Sequence, residues 1–197
     1  MNKKLSNLGT YILNKCKFVT NHDVTNHELV VTSKAQNIIK VINFLKETKD
    51  LNFEMLLDIT AVDYPERSKR FELVYNFLSL KNNLRIRVKV FINDNEVVPS
   101  ISSIYKSAGW YEREVWDMYG LSFSGNNDLR RILTDYGFEG HPLRKDFPLT
   151  GFLELRYDEE KKKVSYSKVK LTQDYRNFDF LSPWEGGNLP GDEKAEN

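Results

Sequence analysis

Two runs of strict alternation constrain this chain more than anything else in it. Phe71, Leu73, Tyr75 and Phe77 form one; Leu84, Ile86, Val88 and Val90, interleaved with Arg85, Arg87 and Lys89, form the other. A period of two places all apolar members of a run on one face of a strand. Lys81-Asn82-Asn83 joins the runs, and Asn tolerates the positive φ of a tight hairpin. The outcome is an antiparallel pair, wet on one side, whose other side needs a second layer to cover it.

Helical periodicity supplies that layer. Residues 4–15 place Leu5, Leu8 and Ile12 on one stripe, despite Gly9. Either Thr32 or Ser33 can cap a helix in which Ala35, Ile38, Ile39, Ile42 and Leu45 share a face, and this pattern fails at residues 48–50. A third helix is expected over 99–107, with Pro99 in its first turn and Ile101, Ile104 and Tyr105 inward. Short strands are expected at 16–19 and 28–31 around an Asn-His-Asp turn, and a longer one at 53–62. Together these predict an α+β domain over 1–125, a largely antiparallel sheet with helices on one face.

A further helix is expected over 110–119, separated from the third by Gly109 and ended by Gly120 in a left-handed conformation. Arg113 and Asp117 lie four apart on it and can pair. From 122 to 151 no period persists, and glycines at 125, 137, 140 and 151 with Pro142 and Pro148 predict a shaped loop. Beyond it, Leu153, Leu155 and Tyr157, then Val164, Tyr166 and Val169, could form a hairpin, which alone is marginal in water. Residues 172–186 hold Tyr175, Phe178, Phe180, Leu181 and Trp184 without a period, so 152–197 is expected to be an extended partner-binding segment, disordered at its end.

Charge and composition exclude several classes. With 29 basic and 28 acidic side chains the net charge is +1, which gives no overall pull toward nucleic acid or anionic lipid. One cysteine, Cys16, excludes an internal disulfide and a cysteine cage for zinc or an iron–sulfur cluster. No apolar run is long enough to span a bilayer. The first 20 residues lack a secretory apolar core and lack Arg, so neither a signal peptide nor an ordinary transit peptide is expected. Gly-x-Gly-x-x-Gly, the P-loop and Gly-x-Ser-x-Gly are all missing, so NADH, FMN and iron–sulfur clusters find no visible home here.

The block Glu112-Arg113-Glu114, Trp116-Asp117-Met118-Tyr119-Gly120, followed by Asp128-Leu129-Arg130-Arg131-Ile132-Leu133-Thr134-Asp135-Tyr136-Gly137-Phe138, then Gly140-His141-Pro142-Leu143-Arg144-Lys145-Asp146-Phe147-Pro148, closely resembles the thirty-kilodalton subunit of respiratory complex I, NADH:quinone oxidoreductase. Weaker likeness extends from Leu57 to the Ser182-Pro183-Trp184-Glu185 stretch. Family members usually carry His-Pro or Asn-Pro after the glycine at 125; here Asn126-Asn127 stands there, which implies a looser loop. The resemblance implies an α+β fold and a non-catalytic structural role in the hydrophilic arm. The complex it points to passes electrons from NADH to ubiquinone and couples this to proton translocation. The partner implied is the large hydrogenase-like quinone-site subunit. The location implied is the matrix side of the mitochondrial inner membrane, with the cytoplasmic face of a bacterial membrane as the alternative.

Three constellations have rival readings. Glu112, Glu114 and Asp117 could serve acid–base chemistry in a small self-sufficient enzyme, or form a charged face. Arg130, Arg131, Arg144 and Lys145, interleaved with Tyr136, Phe138 and Phe147, could bind single-stranded nucleic acid. Neighbouring Asp128, Asp135, Glu139 and Asp146 favour Arg–carboxylate forks at a protein interface instead. His141 lacks the convergent partners of a metal ligand. The residues expected to meet partner subunits are Glu112, Arg113, Trp116, Tyr119, Arg130, Arg131, His141, Arg144, Asp146, Phe178 and Trp184.

Overall fold

The alternating runs form the middle of a five-stranded sheet. Strand β4 (Phe71–Ser79) pairs antiparallel with β5 (Leu84–Ile92), from Phe71 opposite Ile92 to Ser79 opposite Leu84, and the turn contains Asn83 at φ 48°. Outside β4 lies β3 (Met55–Asp63), also antiparallel. Outside β5 lies β2 (Glu28–Ser33), the one parallel neighbour, which pairs antiparallel with edge strand β1 (Val19–Thr25). The computed structural model describes residues 2–171 and 173. The chain divides into two compact units, 1–149 and 150–197.

Register fixes where the core sits. Leu29 and Val31 align with Ile86 and Val88; Tyr75 and Phe77 align with the same two residues from the other side, and Ile59 with Tyr75. These side chains share one cluster with Leu5 and Ile12 of α1 (Asn2–Lys15), Ile38, Val41, Ile42 and Leu45 of α2 (Ile38–Glu47), and Val115 of α3 (Ala108–Tyr119). Each such fully buried side chain contributes about 1.5–3 kcal/mol.

The far face of the sheet is less wet than alternation predicts. Glu72 and Val74 are 5% and 6% exposed. Lys89 reaches one Glu72 carboxylate oxygen at 2.6 Å and Arg67 the other at 3.2 Å, while Arg87 meets Glu28 at 2.6 Å and Asn76 at 3.1 Å.

Three local expectations need correction. The Asn-His-Asp segment at 21–23 lies inside β1; the chain reverses at Asn26 and His27, whose φ values are 51° and 64°. Two successive left-handed residues match the twist of a two-residue hairpin, and the polarity of 21–23 reflects an edge strand. The second helix is preceded by a 3-10 turn (Ala35–Asn37); Thr32 and Ser33 remain in β2, where the Ser33 hydroxyl donates to the Phe18 carbonyl.

No helix occupies 99–107. Val98–Pro99 (β6) pairs in parallel with Phe123–Ser124 (β7), and turns follow. The Ile101 N–H, which a helix would leave for its first turn, is taken by the Glu112 carboxylate, and the Ser102 N–H by the Ser100 hydroxyl. Such side-chain bonds compete with helix formation. Tyr105 is held by its hydroxyl, which donates to the Phe53 carbonyl, and burial pushes its phenol up to about 12. Helix α3 begins at Ala108 and contains Gly109.

In the second unit β8 (Leu153–Asp158) pairs antiparallel with β9 (Lys163–Lys168) around a turn containing Lys162 at φ 49°. This part of the expected extended segment is therefore a hairpin. Phe178 and Trp184 lie outside the described residues.

Candidate functional site

The signature block is built around the C-terminal end of α3. A helix leaves its last carbonyls without intrahelical donors. Gly120, at φ +78°, closes the helix and donates its N–H to the Trp116 carbonyl. The following loop supplies donors for two more, those of Asp117 and Met118. His141 bonds the Asp117 carbonyl through Nδ1 at 3.0 Å, and since a carbonyl only accepts, that nitrogen carries the hydrogen. The Leu143 N–H donates to the Met118 carbonyl. A side chain on residue 120 would start 2.7 Å from the His141 ring, so Gly120 permits both the turn and the imidazole against it.

Asp117 is the anchor of the loop. Its carboxylate is fully buried. One oxygen accepts the Ile132, Leu133 and Thr134 N–H groups at 3.0, 2.8 and 3.0 Å. The other accepts the Thr134 hydroxyl at 2.5 Å and Arg131 at 2.8 Å. Burial by itself would raise the Asp117 pKa, but the Thr134, Arg131 and Ile132 bonds outweigh it and hold the carboxyl below the usual range. Arg131 continues to the Phe138 and Gly140 carbonyls, both at 2.9 Å, and its guanidinium lies over the Trp116 and Phe138 rings.

A second tie runs to the sheet. The Lys145 N–H donates to Asp63 at the end of β3 at 2.8 Å, and Arg70 grips both Asp63 oxygens at 2.7 Å while reaching Asp146 at 2.9 Å. The Arg70 hydrogen bond lowers the Asp63 pKa, with the Lys145 bond in support. Arg144 pairs with Asp94 and lies over the Phe71 ring.

Glu112 makes a third tie, at the start of the loop. It is fully buried and accepts from the Ser100 hydroxyl, the Ile101 N–H and the Asn126 amide at 2.7, 2.8 and 2.8 Å. Burial pushes its pKa up, opposed by those three bonds. Asn126 also accepts the Asp128 N–H through its side-chain oxygen. The loop at Asn126-Asn127 is therefore pinned rather than loosened, because the amide is a donor for one neighbour and an acceptor for the other.

The structure separates the expected interface residues into two groups. Glu112 and Arg113 are 0% and 5% exposed and serve the chain itself. Arg113 does not pair with Asp117; it donates to the Arg130 and Arg131 carbonyls and reaches Asp128 at 3.5 Å, because Arg131 already occupies Asp117. Arg131 and Arg144 are also drawn into internal bonds. Trp116, Tyr119 and His141 are half-buried, while Arg130 and Asp146 keep exposed side chains. Glu114 is exposed and stands apart from the two buried carboxylates of its helix.

Sequence reasoning missed the residues that set this geometry: Asp63, Arg70, Ser100, Asn126 and Thr134. It also missed what the loop presents outward. Leu133, Tyr136, Leu143 and Leu149 are exposed, with Tyr136 at 87%. A period-free loop gives no signal of which side chains face in. Among the described residues no group of three or more His, Cys, Asp or Glu side chains is placed to hold a metal ion. No described helix is long and apolar enough to cross a membrane.

Comparison with known proteins agrees with this geometry. Residues 31–153 match the family described as "Respiratory-chain NADH dehydrogenase, 30 Kd subunit". The chain is 57% identical over 198 residues to the C subunit of NADH-quinone oxidoreductase from Paramagnetospirillum magneticum, covering 99% of this chain and 100% of the relative. It is 55% identical to the same subunit from Parvibaculum lavamentivorans over 199 residues, all of both chains. Among solved structures, a chain of an archaeal respiratory membrane complex, the membrane-bound sulfane sulfur reductase, superposes with a TM-score of 0.64 at 30% identity, covering 81% of this chain and 98% of its own length. A family match over most of the chain, with relatives above 50% identity along its whole length, shows that this chain belongs to the 30 kDa subunit family of the respiratory-chain NADH dehydrogenase, complex I.

Proposed function

We propose that the chain contributes placement rather than chemistry: a non-catalytic structural subunit of the hydrophilic arm, docked through its 128–149 loop against the large hydrogenase-like quinone-site subunit. The observation that carries this reading is the inside-out character of the loop. Its Arg131 side chain and the N–H groups of Ile132, Leu133, Thr134 and Lys145 are bonded inward to Asp117 and Asp63, and the Leu133, Tyr136, Leu143 and Leu149 side chains are left outward. A loop already rigid before contact loses little entropy on docking. Exposed aromatic and aliphatic side chains on such a frame suit a partner surface.

The rival readings have less support. Glu112 and Asp117 are sealed from solvent and each accepts several internal donors, an arrangement that holds structure rather than transfers protons to a substrate. Of the four cations proposed for nucleic acid, Arg131 and Arg144 are engaged internally. NADH, FMN, the iron–sulfur clusters and quinone are then expected in other subunits. The bacterial relatives favour a bacterial membrane over the mitochondrial inner membrane, and the cytoplasmic face is the side this reading expects.

Native electrophoresis with NADH-dependent dye staining tests this. The chain should migrate in a large NADH-oxidising assembly, while the pure chain should be colourless and inactive. NADH oxidation or stoichiometric flavin or iron in the pure chain would refute it.

A further inference from the structure

Residues 1–46 have a charge balance that the whole chain conceals. They hold seven lysines against two acids, Asp23 and Glu28, a net of +5 in a chain whose total is +1. They hold no arginine, and the first in the chain is Arg67. Glu28 pairs with Arg87 of β5 at 2.6 Å, and the Asp23 carboxylate accepts the Val24 N–H and the Thr25 hydroxyl in its own strand. Lys46 donates to the Ile104 carbonyl and lies over the Tyr105 ring. The other six lysines are exposed.

Four of them gather around one aromatic ring. Lys15 ends α1 and Lys17 follows it, in a tight turn closed by the Val19 N–H on the Cys16 carbonyl. Lys40 of α2 lies over the Phe18 ring, 4.7 Å from its centre. The Ser33 hydroxyl donates to the Phe18 carbonyl, which brings Lys34 alongside. Phe18 itself is half-buried. Among the described residues none of these four lysines makes an ion pair. An ordinary surface intersperses both signs, so a one-signed patch of this kind is an electrostatic footprint for an anion.

We infer that the patch of Lys15, Lys17, Lys34 and Lys40 binds the headgroups of anionic phospholipids. Two observations select lipid over nucleic acid or an acidic protein surface. The first is the choice of cation. Arg forks grip individual carboxylates and phosphates in a fixed geometry, whereas a Lys ammonium is a point charge suited to a fluid array of anions. A cluster of four or more such charges beside an amphipathic helix is the size that anionic membranes attract. The second is availability. The family is that of a respiratory membrane complex, yet no described helix is long and apolar enough to cross a bilayer. The patch lies outside the 128–149 loop and binds lipid whichever subunit covers that loop.

Flotation of the full-length chain with vesicles tests this. The wild-type chain should bind vesicles of phosphatidylethanolamine containing phosphatidylglycerol and ignore vesicles of phosphatidylcholine alone. Each lysine close to an anionic surface is worth about fivefold in partitioning. Lys15→Gln, Lys17→Gln, Lys34→Gln and Lys40→Gln combined should therefore weaken binding at least about a hundredfold. Lys81→Gln, Lys161→Gln, Lys162→Gln and Lys163→Gln combined remove the same charge from elsewhere and should leave binding nearly unchanged. Raising the salt from about 0.15 M to about 1 M shortens the screening length from about 8 Å to about 3 Å and should release the wild-type chain. Circular dichroism melting of each variant checks that it is folded, and the salt series needs no variant at all.

Absence of wild-type binding, binding that persists at high salt, or equal loss in the two variants overturns the inference. Single-stranded RNA bound as tightly as the vesicles, and lost with the same four lysines, would assign the patch to nucleic acid. Polyglutamate bound in that way would assign it to an acidic protein segment. Either result also overturns the inference.

Discussion

Asp117 shows how much one residue can organise. It satisfies three consecutive backbone N–H groups, a hydroxyl and a guanidinium, all out of water. Asp117→Ala would take the acceptor from those N–H groups and the carboxylate partner from Arg131, and breaking a buried charge pair costs about 3–5 kcal/mol. Urea unfolding of the full chain should show that loss, with Asp117→Asn between it and wild type. The pH dependence follows from the sign of each shift. Asp117 and Asp63 have depressed values in the folded chain, so their contribution is present above the ordinary aspartate range and fades as pH falls through the folded values. Asp117→Asn should flatten the acid limb of stability against pH. Glu112 is raised by burial, so its contribution is present at low pH and lost as pH climbs above the ordinary glutamate range. Glu112→Gln should remove that opposite slope, and an unchanged slope would mean that Glu112 titrates normally in the folded chain.

At the scale of elements, helix α1 carries a glycine for a reason its own sequence does not reveal. A side chain at Gly9 would begin 2.7 Å from Nδ1 and 2.8 Å from Cγ of His22 on β1, and 2.9 Å from Leu29 on β2. The helix therefore lies close against both strands. Replacing Gly by Ala in a helix gains up to about 1 kcal/mol of propensity, but overpacking costs about 1–3 kcal/mol, so Gly9→Ala should lower the melting temperature. A rise would show that α1 stands further off the sheet. Period alone marked Gly9 as a weak point in a helix; the packed structure marks it as a contact. Residues 99–107 make the same point from the other direction. Ile101, Ile104 and Tyr105 have helical spacing, yet the segment forms turns, with its Ile101 and Ser102 N–H groups bonded to Glu112 and Ser100.

The chain divides into a first unit with a closed core and a second most of whose described apolar side chains are exposed. Removing everything after Gly151 leaves every member of the core cluster in place, since the cluster lies within the first unit. The shortened chain should keep the circular dichroism and cooperative melting of a folded α+β domain. It should nevertheless fail to enter the complex, because the hairpin and all that follows are gone. Loss of cooperative melting would show that the second unit stabilises the first, and normal assembly would show that the second unit is dispensable for joining.

What the sequence determined by itself is whatever a short period can encode. The alternation of 71–77 and 84–90 sets an antiparallel pair and its buried face; helical spacing sets α1 and α2; Gly120 sets the end of α3. The family likeness located the signature block without saying how it folds. Only tertiary structure decided that Asp117 faces the loop rather than Arg113, that Lys145 reaches back 82 residues to Asp63, and that Asn126 braces Glu112. The physical reason is range. A period reports which side of an element avoids water, whereas a buried carboxylate accepts whichever donors the packed chain brings within about 3 Å, and those donors come from distant positions that share no period.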